Sequence, residues 1–229
     1  MTARVKRLEM VTLPPTEYMR LVCGDVPNLR EDFDAMGRQI ARRLEELEML
    51  EPGARLLNIG CGCGRVALHL LDSPIAAYAG FDRHAGMIEW AQAHIGGLDD
   101  RFQFRLVDVR SGYEEVDRNV GTVSAAEFVF PYDDGAFTGA LAASVFTHID
   151  FPATSRYLRE TARVLAPGGR VRASFFLDDT TGSMEGSVWN FVIREDDLRR
   201  ALAQAGLEVL RVDGTRSRHT WFLLGKPEP

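Results

Sequence analysis

The sequence is poor in cysteine: its 229 residues contain only Cys23, Cys61 and Cys63. Three cysteines in a chain of this length do not make a disulfide framework. Two of them alternate within one short turn, and no second pair follows at the spacing of metal ligands. We therefore expect neither a structural disulfide nor a bound metal ion.

The sequence also lacks a long apolar run and an excess of positive charge. No apolar stretch reaches the roughly 18 residues that a membrane span needs, and no apolar signal region follows the charged N-terminal residues. The net charge is −6, whereas binding to nucleic acid phosphates needs a clustered positive surface. These features predict a cytoplasmic protein whose partners are neither membranes nor nucleic acids.

Apolar periodicity alternates along the chain between strand and helix patterns, without internal repeats. Helical spacing of apolar residues predicts helices over residues 30–50, 65–71, 85–94, 154–165 and 194–205. Short apolar runs predict strands over residues 55–60, 76–81, 102–107, 139–145, 170–177, 207–212 and 220–224.

This order predicts an α/β fold with a Rossmann-like, seven-stranded, mostly parallel sheet and helices on both faces. Only residues 213–219 separate the last two strands, which is hairpin length, so the last strand should run antiparallel. Prolines interrupt the beginning of the chain. We therefore predict an N-terminal arm over residues 1–29 and a single domain over residues 30–229.

A glycine-rich turn directly follows the first predicted strand, with Gly60, Gly62 and Gly64 at alternate positions. Glycines permit a sharp turn and let a ligand approach the backbone where a Cβ would block it. Arg65 occupies the place of the third glycine in a dinucleotide-binding fingerprint, which counts against a nicotinamide cofactor. We expect the helix that follows to direct its N-terminus at the ligand.

The next two predicted strands each end in an aspartate, Asp82 and Asp108. Ligands of open α/β sheets bind at the carboxyl ends of the strands. Asp82 could accept both hydrogens of a ribose diol, and Asp108 could accept an adenine amino hydrogen while the Val109 N–H donates to a ring nitrogen. Together with the glycine turn, these positions predict a nucleoside-binding site.

The motifs resemble those of the class I S-adenosylmethionine (SAM)-dependent methyltransferase family. The matching segments are LNIGCGCGR at 57–65, GFD at 80–82, VDV at 107–109, SVFTH at 144–148 and ETARVLAPGG at 160–169. The Leu13-Pro14-Pro15 segment and the SVFTH segment are similar to the bacterial small-molecule branch of that family.

The resemblance implies SAM as cofactor and S-adenosylhomocysteine (SAH) as product. It implies cofactor contacts by Gly60, Cys61, Gly62, Gly64, Asp82, Arg83, Met87, Asp108, Val109, Ser144 and Val145. The implied reaction is transfer of the methyl group to an oxygen or nitrogen of a small polar molecule such as a sugar, glycoconjugate or secondary metabolite.

His148 follows the fourth strand, and an imidazole can accept a proton near neutral pH. It is our candidate general base, with packing against the cofactor as the alternative. We expect Tyr18 and Trp189 to contact the methyl acceptor, since aromatic rings can stack on sugars or other rings. The sequence leaves the oligomeric state open.

Two departures from the family pattern bear on activity. Asn58 stands where the family often has an acidic residue, and Thr138 stands where it often has Asp. A non-catalytic SAM-binding regulatory module is therefore the second hypothesis. A nicotinamide oxidoreductase and a nucleic-acid methyltransferase are further alternatives, the latter disfavoured by the acidic charge and the lack of an Asn-Pro-Pro-Tyr type motif.

Overall fold

The structure is a computed structural model that describes residues 12–110, 121–184, 190–213 and 219–228. Two compact units divide the chain, Met1–Val107 and Asp108–Pro229. The division into an arm over residues 1–29 and a domain over residues 30–229 stays a prediction. Trp189, a predicted contact of the methyl acceptor, lies outside the described residues.

The first unit alternates helices with three parallel strands. Its elements are α1 (Thr16–Cys23), α2 (Leu29–Glu46), β1 (Arg55–Ile59), β2 (Ala77–Asp82), α3 (Ala85–Ala91) and β3 (Phe102–Leu106). β2 pairs in parallel with both β1 and β3. The carboxyl ends of these strands therefore lie at one edge, where the predicted glycine turn follows β1 and Asp82 is the last residue of β2.

Helix α1 lies within the segment predicted as an arm without regular structure. Pro15 is its N-cap, where a missing N–H removes no helical hydrogen bond. Met19 is completely buried, and Gly24 ends the helix with a positive φ of 75°. The prolines thus define where this helix begins rather than preventing it.

Helix α2 confirms the predicted amphipathic helix, with Phe33 and Leu44 completely buried on its inner face. It ends at Glu46, four residues before the predicted end at residue 50. Glu48 adopts a left-handed conformation with φ 54°, which a continuing α-helix excludes. The helix therefore ends several residues before the Glu51-Pro52-Gly53 sequence that was expected to end it.

The helix predicted over residues 65–71 is wrong, because only Ala67–His69 form a single 3-10 turn. Gly64 has a positive φ of 81°, and the Ser73 hydroxyl donates to the Leu70 carbonyl at 2.6 Å, which closes the segment. A three-residue turn has no macrodipole of consequence. The helix N-terminus that was expected to face the ligand is therefore missing at the glycine turn.

The second unit contains the remaining elements of the chain. They are β4 (Val109–Arg110), β5 (Val123–Ser124), β6 (Phe137–Ala142), α4 (Phe151–Val164), β7 (Leu165–Phe175), β8 (Leu177–Asp178), β9 (Gly182–Ser183), β10 (Phe191–Arg194), α5 (Glu195–Ala205), β11 (Glu208–Asp213) and β12 (Thr220–Gly225).

Strand β7 begins directly after α4, at Leu165, whereas the sequence predicted a strand only from residue 170. The early start is held by backbone pairing of this segment with the chain end: the Gly168 N–H donates to the Lys226 carbonyl at 3.0 Å, and the Lys226 N–H donates to the Gly169 carbonyl at 2.8 Å. Short strands that the sequence did not predict follow β7, since β10 pairs with both β8 and β9.

Seven strands form one sheet in the order β11-β12-β7-β6-β1-β2-β3. β6 and β7 are parallel, whereas β12 runs antiparallel to both β7 and β11. The predicted fold class, a mostly parallel seven-stranded sheet with an antiparallel last strand, is confirmed.

Candidate functional site

The glycine-rich turn after β1 uses the backbone freedom that glycine provides. Gly60, Gly62 and Gly64 have φ values of 64°, 53° and 81°, which disfavour any L-residue with a Cβ. A Cβ on Gly64 would lie 2.5 Å from the Ile95 Cδ1 atom. The turn therefore has both a conformational and a packing reason for its glycines.

Asp82 holds this turn in place. Its Oδ2 accepts the Gly62 N–H at 2.8 Å, and its Oδ1 accepts the His84 N–H at 3.0 Å. Each carboxylate oxygen has a second lone pair, so the group can still accept hydrogen bonds from a ligand. Asp82 thus fixes the turn and remains competent for the predicted role toward a ribose.

The beginning of α3 lies beside the same turn. The His84 side chain caps α3 by accepting the Met87 N–H on Nδ1 at 3.2 Å, a role that sequence reasoning missed. A Cβ on Gly62 would lie 3.7 Å from the Met87 Sδ atom. The structure therefore brings together Gly62, Asp82 and Met87. Half-buried Arg83 directly follows Asp82 in the sequence.

Helix α1 also reaches the predicted site. The Tyr18 ring packs edge-on against the His84 ring with centroids 5.4 Å apart, and burial raises the pKa of its hydroxyl, with Glu17 adding to the rise. A Cβ on Gly62 would lie 3.2 Å from the Val22 Cγ2 atom. Val22 thus lies against Gly62, which is predicted to bind the cofactor, a placement that no sequence motif indicated, whereas Tyr18 packs against His84.

Asn58, the departure from the family pattern in β1, has a structural partner. It is 3% exposed, and its Nδ2 donates to the Tyr78 hydroxyl at 2.8 Å. A buried amide needs such a partner to offset its loss of hydration. The negative charge at the turn comes instead from Asp82, and Asn58 has a packing role beside Tyr78.

The cysteines of the turn are buried thiols. Burial raises the pKa of Cys61 far above its ordinary range and raises that of Cys63 to about 12. Such thiols are poor nucleophiles and poor metal ligands near neutral pH. Within the described residues, no group of three or more His, Cys, Asp or Glu side chains could hold a metal ion.

In the second unit, Asp108 is exposed and bonded to Thr122. Its Oδ1 accepts the Thr122 N–H at 2.8 Å, and its Oδ2 accepts the Thr122 hydroxyl. These hydrogen bonds lower the pKa of the Asp108 carboxyl. Val109 is buried in β4, which pairs in parallel with β5, and Asp108 directly precedes this strand.

The turn after β6 contains three of the predicted residues, Ser144, Val145 and His148. Ser144 has a φ of 60°, a conformation that costs a non-glycine residue about 1 kcal/mol or more. The Ser144 N–H donates to the Ser174 hydroxyl at 2.8 Å, and Ser174 is completely buried. Backbone strain of this kind is concentrated at functional sites.

His148 is half-buried at the end of this turn, and its backbone N–H donates to the Val145 carbonyl at 2.9 Å. The Thr147 hydroxyl donates to the Ser144 carbonyl at 3.0 Å. The Phe191 N–H donates to the Thr147 carbonyl at 2.9 Å and so connects β10 to the turn. The turn that carries His148 is therefore fixed on both sides by hydrogen bonds.

Comparison with known proteins finds methyltransferases. A family model described as "Methyltransferase domain" matches residues 29–212. The methyltransferase GfsG of Streptomyces halstedii is 28% identical over 201 residues, which are 82% of this chain and 64% of that protein. The 27-O-demethylrifamycin SV methyltransferase of Amycolatopsis mediterranei is 26% identical over 182 residues, 74% of this chain and 60% of that protein.

A solved structure, that of the [4+2]-cyclase SpnF, matches with a TM-score of 0.64 at 22% identity, covering 84% of this chain and 81% of that one. At this identity the match shows the fold alone. No helix in the described ranges is long and apolar enough to cross a membrane. The chain spans less than two thirds of the length of either of these two relatives.

Proposed function

Since this chain belongs to the methyltransferase-domain family, we propose that it is a SAM-dependent methyltransferase that methylates an oxygen or nitrogen of a small polar molecule. The acceptor classes are sugars, glycoconjugates and secondary metabolites. The relative that acts on 27-O-demethylrifamycin SV favours oxygen as the acceptor atom. The observation that carries the proposal is the glycine turn fixed by Asp82.

The first unit offers a fitting surface for the nucleoside and amino-acid parts of SAM. Gly60, Gly62 and Gly64 remove Cβ atoms from the turn, and Asp82 keeps lone pairs for the ribose hydroxyls. The proposed contacts in this unit also include Cys61, through its backbone, together with Arg83 and Met87. The buried thiols give no reason to expect covalent chemistry here.

The second unit supplies the remaining proposed contacts. Asp108 and Val109 would recognise the adenine, because a carboxylate accepts from the amino group and a backbone N–H donates to a ring nitrogen. The backbone of Ser144 and Val145 would face the reacting end of SAM, consistent with the strained conformation of Ser144. Binding in a fixed orientation is the main contribution of the protein to methyl transfer.

We propose His148 as the general base. When bound, SAM would supply a methyl group on a positively charged sulfur, the acceptor atom would bond to the methyl carbon as the sulfur–carbon bond breaks, and SAH would be the product. The His148 imidazole would take the proton that the acceptor hydroxyl loses, and a base of this kind contributes typically about 10²–10⁴-fold. The hydrogen bonds of the Ser144–His148 turn hold its backbone in position for this step.

Calorimetric titration with SAM, and separately with NADH, tests the cofactor. Micromolar binding of SAM alone supports the proposal, and a folded protein that binds NADH but not SAM would contradict it. SAH release is then measured with methyl glucoside, catechol and an alkylamine as acceptors. The His148→Ala variant should lose at least about 100-fold in kcat, whereas His94→Ala, which alters an exposed histidine, should not.

A loss of SAM affinity in His148→Ala without a loss of kcat would instead assign His148 a packing role. Binding of SAM without turnover of any acceptor would favour the non-catalytic SAM-binding module. We also propose a cytoplasmic location and a small-molecule acceptor rather than a nucleic acid, consistent with the net charge of −6.

A further inference from the structure

The carboxyl ends of β6 and β7 are joined by two contacts next to His148. The Ser144 N–H donates to the Ser174 hydroxyl at 2.8 Å. Phe146, which lies in the turn that carries His148, stacks on Phe175 with ring centroids 4.7 Å apart and an interplanar angle of 13°. Both rings are almost completely buried. The chain that leaves β7 after Phe175 therefore starts close to the turn of His148.

Phe176 is the first residue beyond β7, and it is half-buried. Its ring packs against the ring of His219, with centroids 4.6 Å apart and an interplanar angle of 56°. His219 is also half-buried, and it directly precedes Thr220, which pairs with Phe175 across the sheet. An aromatic pair thus lies at the edge of the sheet that also carries the turn of His148.

Phe191, at the beginning of β10, brings a further ring to this edge. The Phe191 N–H donates to the Thr147 carbonyl at 2.9 Å, and the Ile193 N–H donates to the Phe176 carbonyl at 2.9 Å. Strand β10 is therefore hydrogen-bonded both to the turn of His148 and to the residue that carries the aromatic pair. Phe191 is half-buried, so part of its surface remains accessible.

The other end of β10 is anchored to α5. The Thr181 hydroxyl donates to the Asp197 carboxylate and accepts the Arg194 N–H at 3.0 Å. Hydrogen bonds from the side chains of Thr181 and Arg194 lower the pKa of Asp197, as expected for a carboxylate that they stabilise. A binding surface that is held at both ends loses little conformational entropy when a ligand binds.

We infer that the methyl acceptor is a phenolic compound whose ring packs against Phe176 and Phe191 while its hydroxyl group reaches His148. This inference rests on the proposed function, because it assumes that methyl transfer takes place at the turn of His148. Flat apolar rings pack favourably against aromatic side chains. A sugar would bring several hydroxyl groups to these rings, and aromatic carbon atoms cannot replace the hydrogen bonds that those groups lose with water.

A phenolic hydroxyl also suits a histidine base. A phenol such as that of tyrosine has a pKa of about 10, whereas water has a pKa of about 15.7 and an ordinary imidazole one of about 6.5. Proton transfer to an imidazole is therefore far less unfavourable from a phenol than from a water-like aliphatic hydroxyl. In the proposed step His148 takes the phenolic proton and the phenolic oxygen bonds to the methyl carbon. The bond from that carbon to the donor sulfur breaks, and its electron pair stays on the sulfur.

The inference is tested with acceptor probes that differ in aromaticity. Catechol and cis-cyclohexane-1,2-diol carry the same pair of hydroxyl groups, but only the ring of catechol is aromatic. Calorimetry in the presence of saturating SAH should show that the wild-type protein binds catechol at least about fivefold more tightly than the saturated diol. With SAM, SAH release should be faster with catechol than with the saturated diol or with methyl glucoside.

Variants of the rings make the test specific. Phe176→Leu and Phe191→Leu keep an apolar side chain without the ring, and each should raise the Kd and the KM for catechol about 3–10-fold while kcat changes by less than about threefold. Phe176→Tyr keeps the ring and should bind catechol as the wild type does. Tyr132→Leu is the matched control, because Tyr132 is a half-buried ring that packs on Phe137 at the beginning of β6, the opposite end of that strand.

The outcomes separate this inference from the proposed function. If the folded wild-type protein does not bind SAH, the proposed function is overturned, and the acceptor class with it. If SAH binds but the saturated diol or methyl glucoside binds or reacts as well as catechol, only the phenolic class is overturned. Binding of catechol without its methylation would have the same meaning. An equal loss of catechol affinity in Tyr132→Leu and Phe176→Leu would overturn the role of the Phe176 ring.

Discussion

The Ser174 hydroxyl accepts the N–H of Ser144 at 2.8 Å, and Ser144 has a φ of 60°. Ser174 lies in β7 and is completely buried, so this hydrogen bond joins the interior of the sheet to the strained turn after β6. The same turn carries His148. A side chain outside every recognised motif thus fixes the backbone of residues proposed to face the cofactor.

Ser174→Ala should leave the Ser144 N–H without its partner and lower the free energy of unfolding by about 1–3 kcal/mol. Chemical denaturation measures this loss, and amide hydrogen exchange should show faster exchange at Ser144. Ser155→Ala is the matched control, because it removes a hydroxyl that donates to the Phe151 carbonyl of its own helix. Unchanged exchange at Ser144 in Ser174→Ala would argue against the positioning role.

Gly62→Ala should reduce SAH affinity at least about tenfold while costing about 1–2 kcal/mol in stability. The cause is the positive φ of 53°, together with a new Cβ 3.2 Å from Val22 and 3.7 Å from Met87. Calorimetry and thermal melts measure both effects. Gly182→Ala is the control, since a Cβ there meets nothing within 4 Å, and an equal effect of both variants would contradict the proposed role of the turn.

Asp82→Asn should weaken SAH binding and also loosen the glycine turn. An amide has only one acceptor oxygen, so it cannot accept the N–H groups of both Gly62 and His84 as the carboxylate does. We expect a loss in SAH affinity of at least about tenfold, measured by calorimetry. Asp100→Asn, an exposed change, should behave as wild type, and equal affinities in all three proteins would refute the role of Asp82.

His69 should make stability fall on the acid side. Burial lowers the pKa of its imidazole below the ordinary 6.5, and the attraction of Asp34 only partly opposes this shift. At a pH between the pKa of His69 in the folded protein and its ordinary pKa of 6.5, the unfolded chain binds a proton that the folded protein does not. The stability that neutral His69 contributes is therefore fully present above pH 6.5 and is lost as the pH falls. Denaturation between pH 7.5 and about 5 should show a shallower decline in His69→Gln than in the wild type.

The cysteines should differ in reactivity toward iodoacetamide at pH 8. Cys61 and Cys63 are buried with raised pKa values, that of Cys63 being about 12, whereas Cys23 is half-buried. Alkylation should therefore modify Cys23 first in the native protein and all three after unfolding. Mass spectrometry of peptides measures this order, and early modification of Cys63 would contradict the packing of the turn.

Much of the fold was predictable because its signals are local in the sequence. The apolar runs that became β1, β2 and β3 end next to glycine and aspartate, and the short link between β11 and β12 predicted the antiparallel last strand. Local patterns were less informative where a few residues decide the conformation. Glu48 ends α2 by adopting a left-handed conformation, and the segment after Gly64 makes only a 3-10 turn.

The sequence by itself determined the family, the glycine turn and the positions of Asp82, Asp108 and His148, since these depend on residue type and spacing. Only the tertiary structure decided which atoms meet. The bond between Gly62 and Asp82, the bond between Ser144 and Ser174 and the ring contact between Phe176 and His219 each join residues distant in sequence. Such contacts depend on the packing of strands and helices, and no spacing along the chain encodes them.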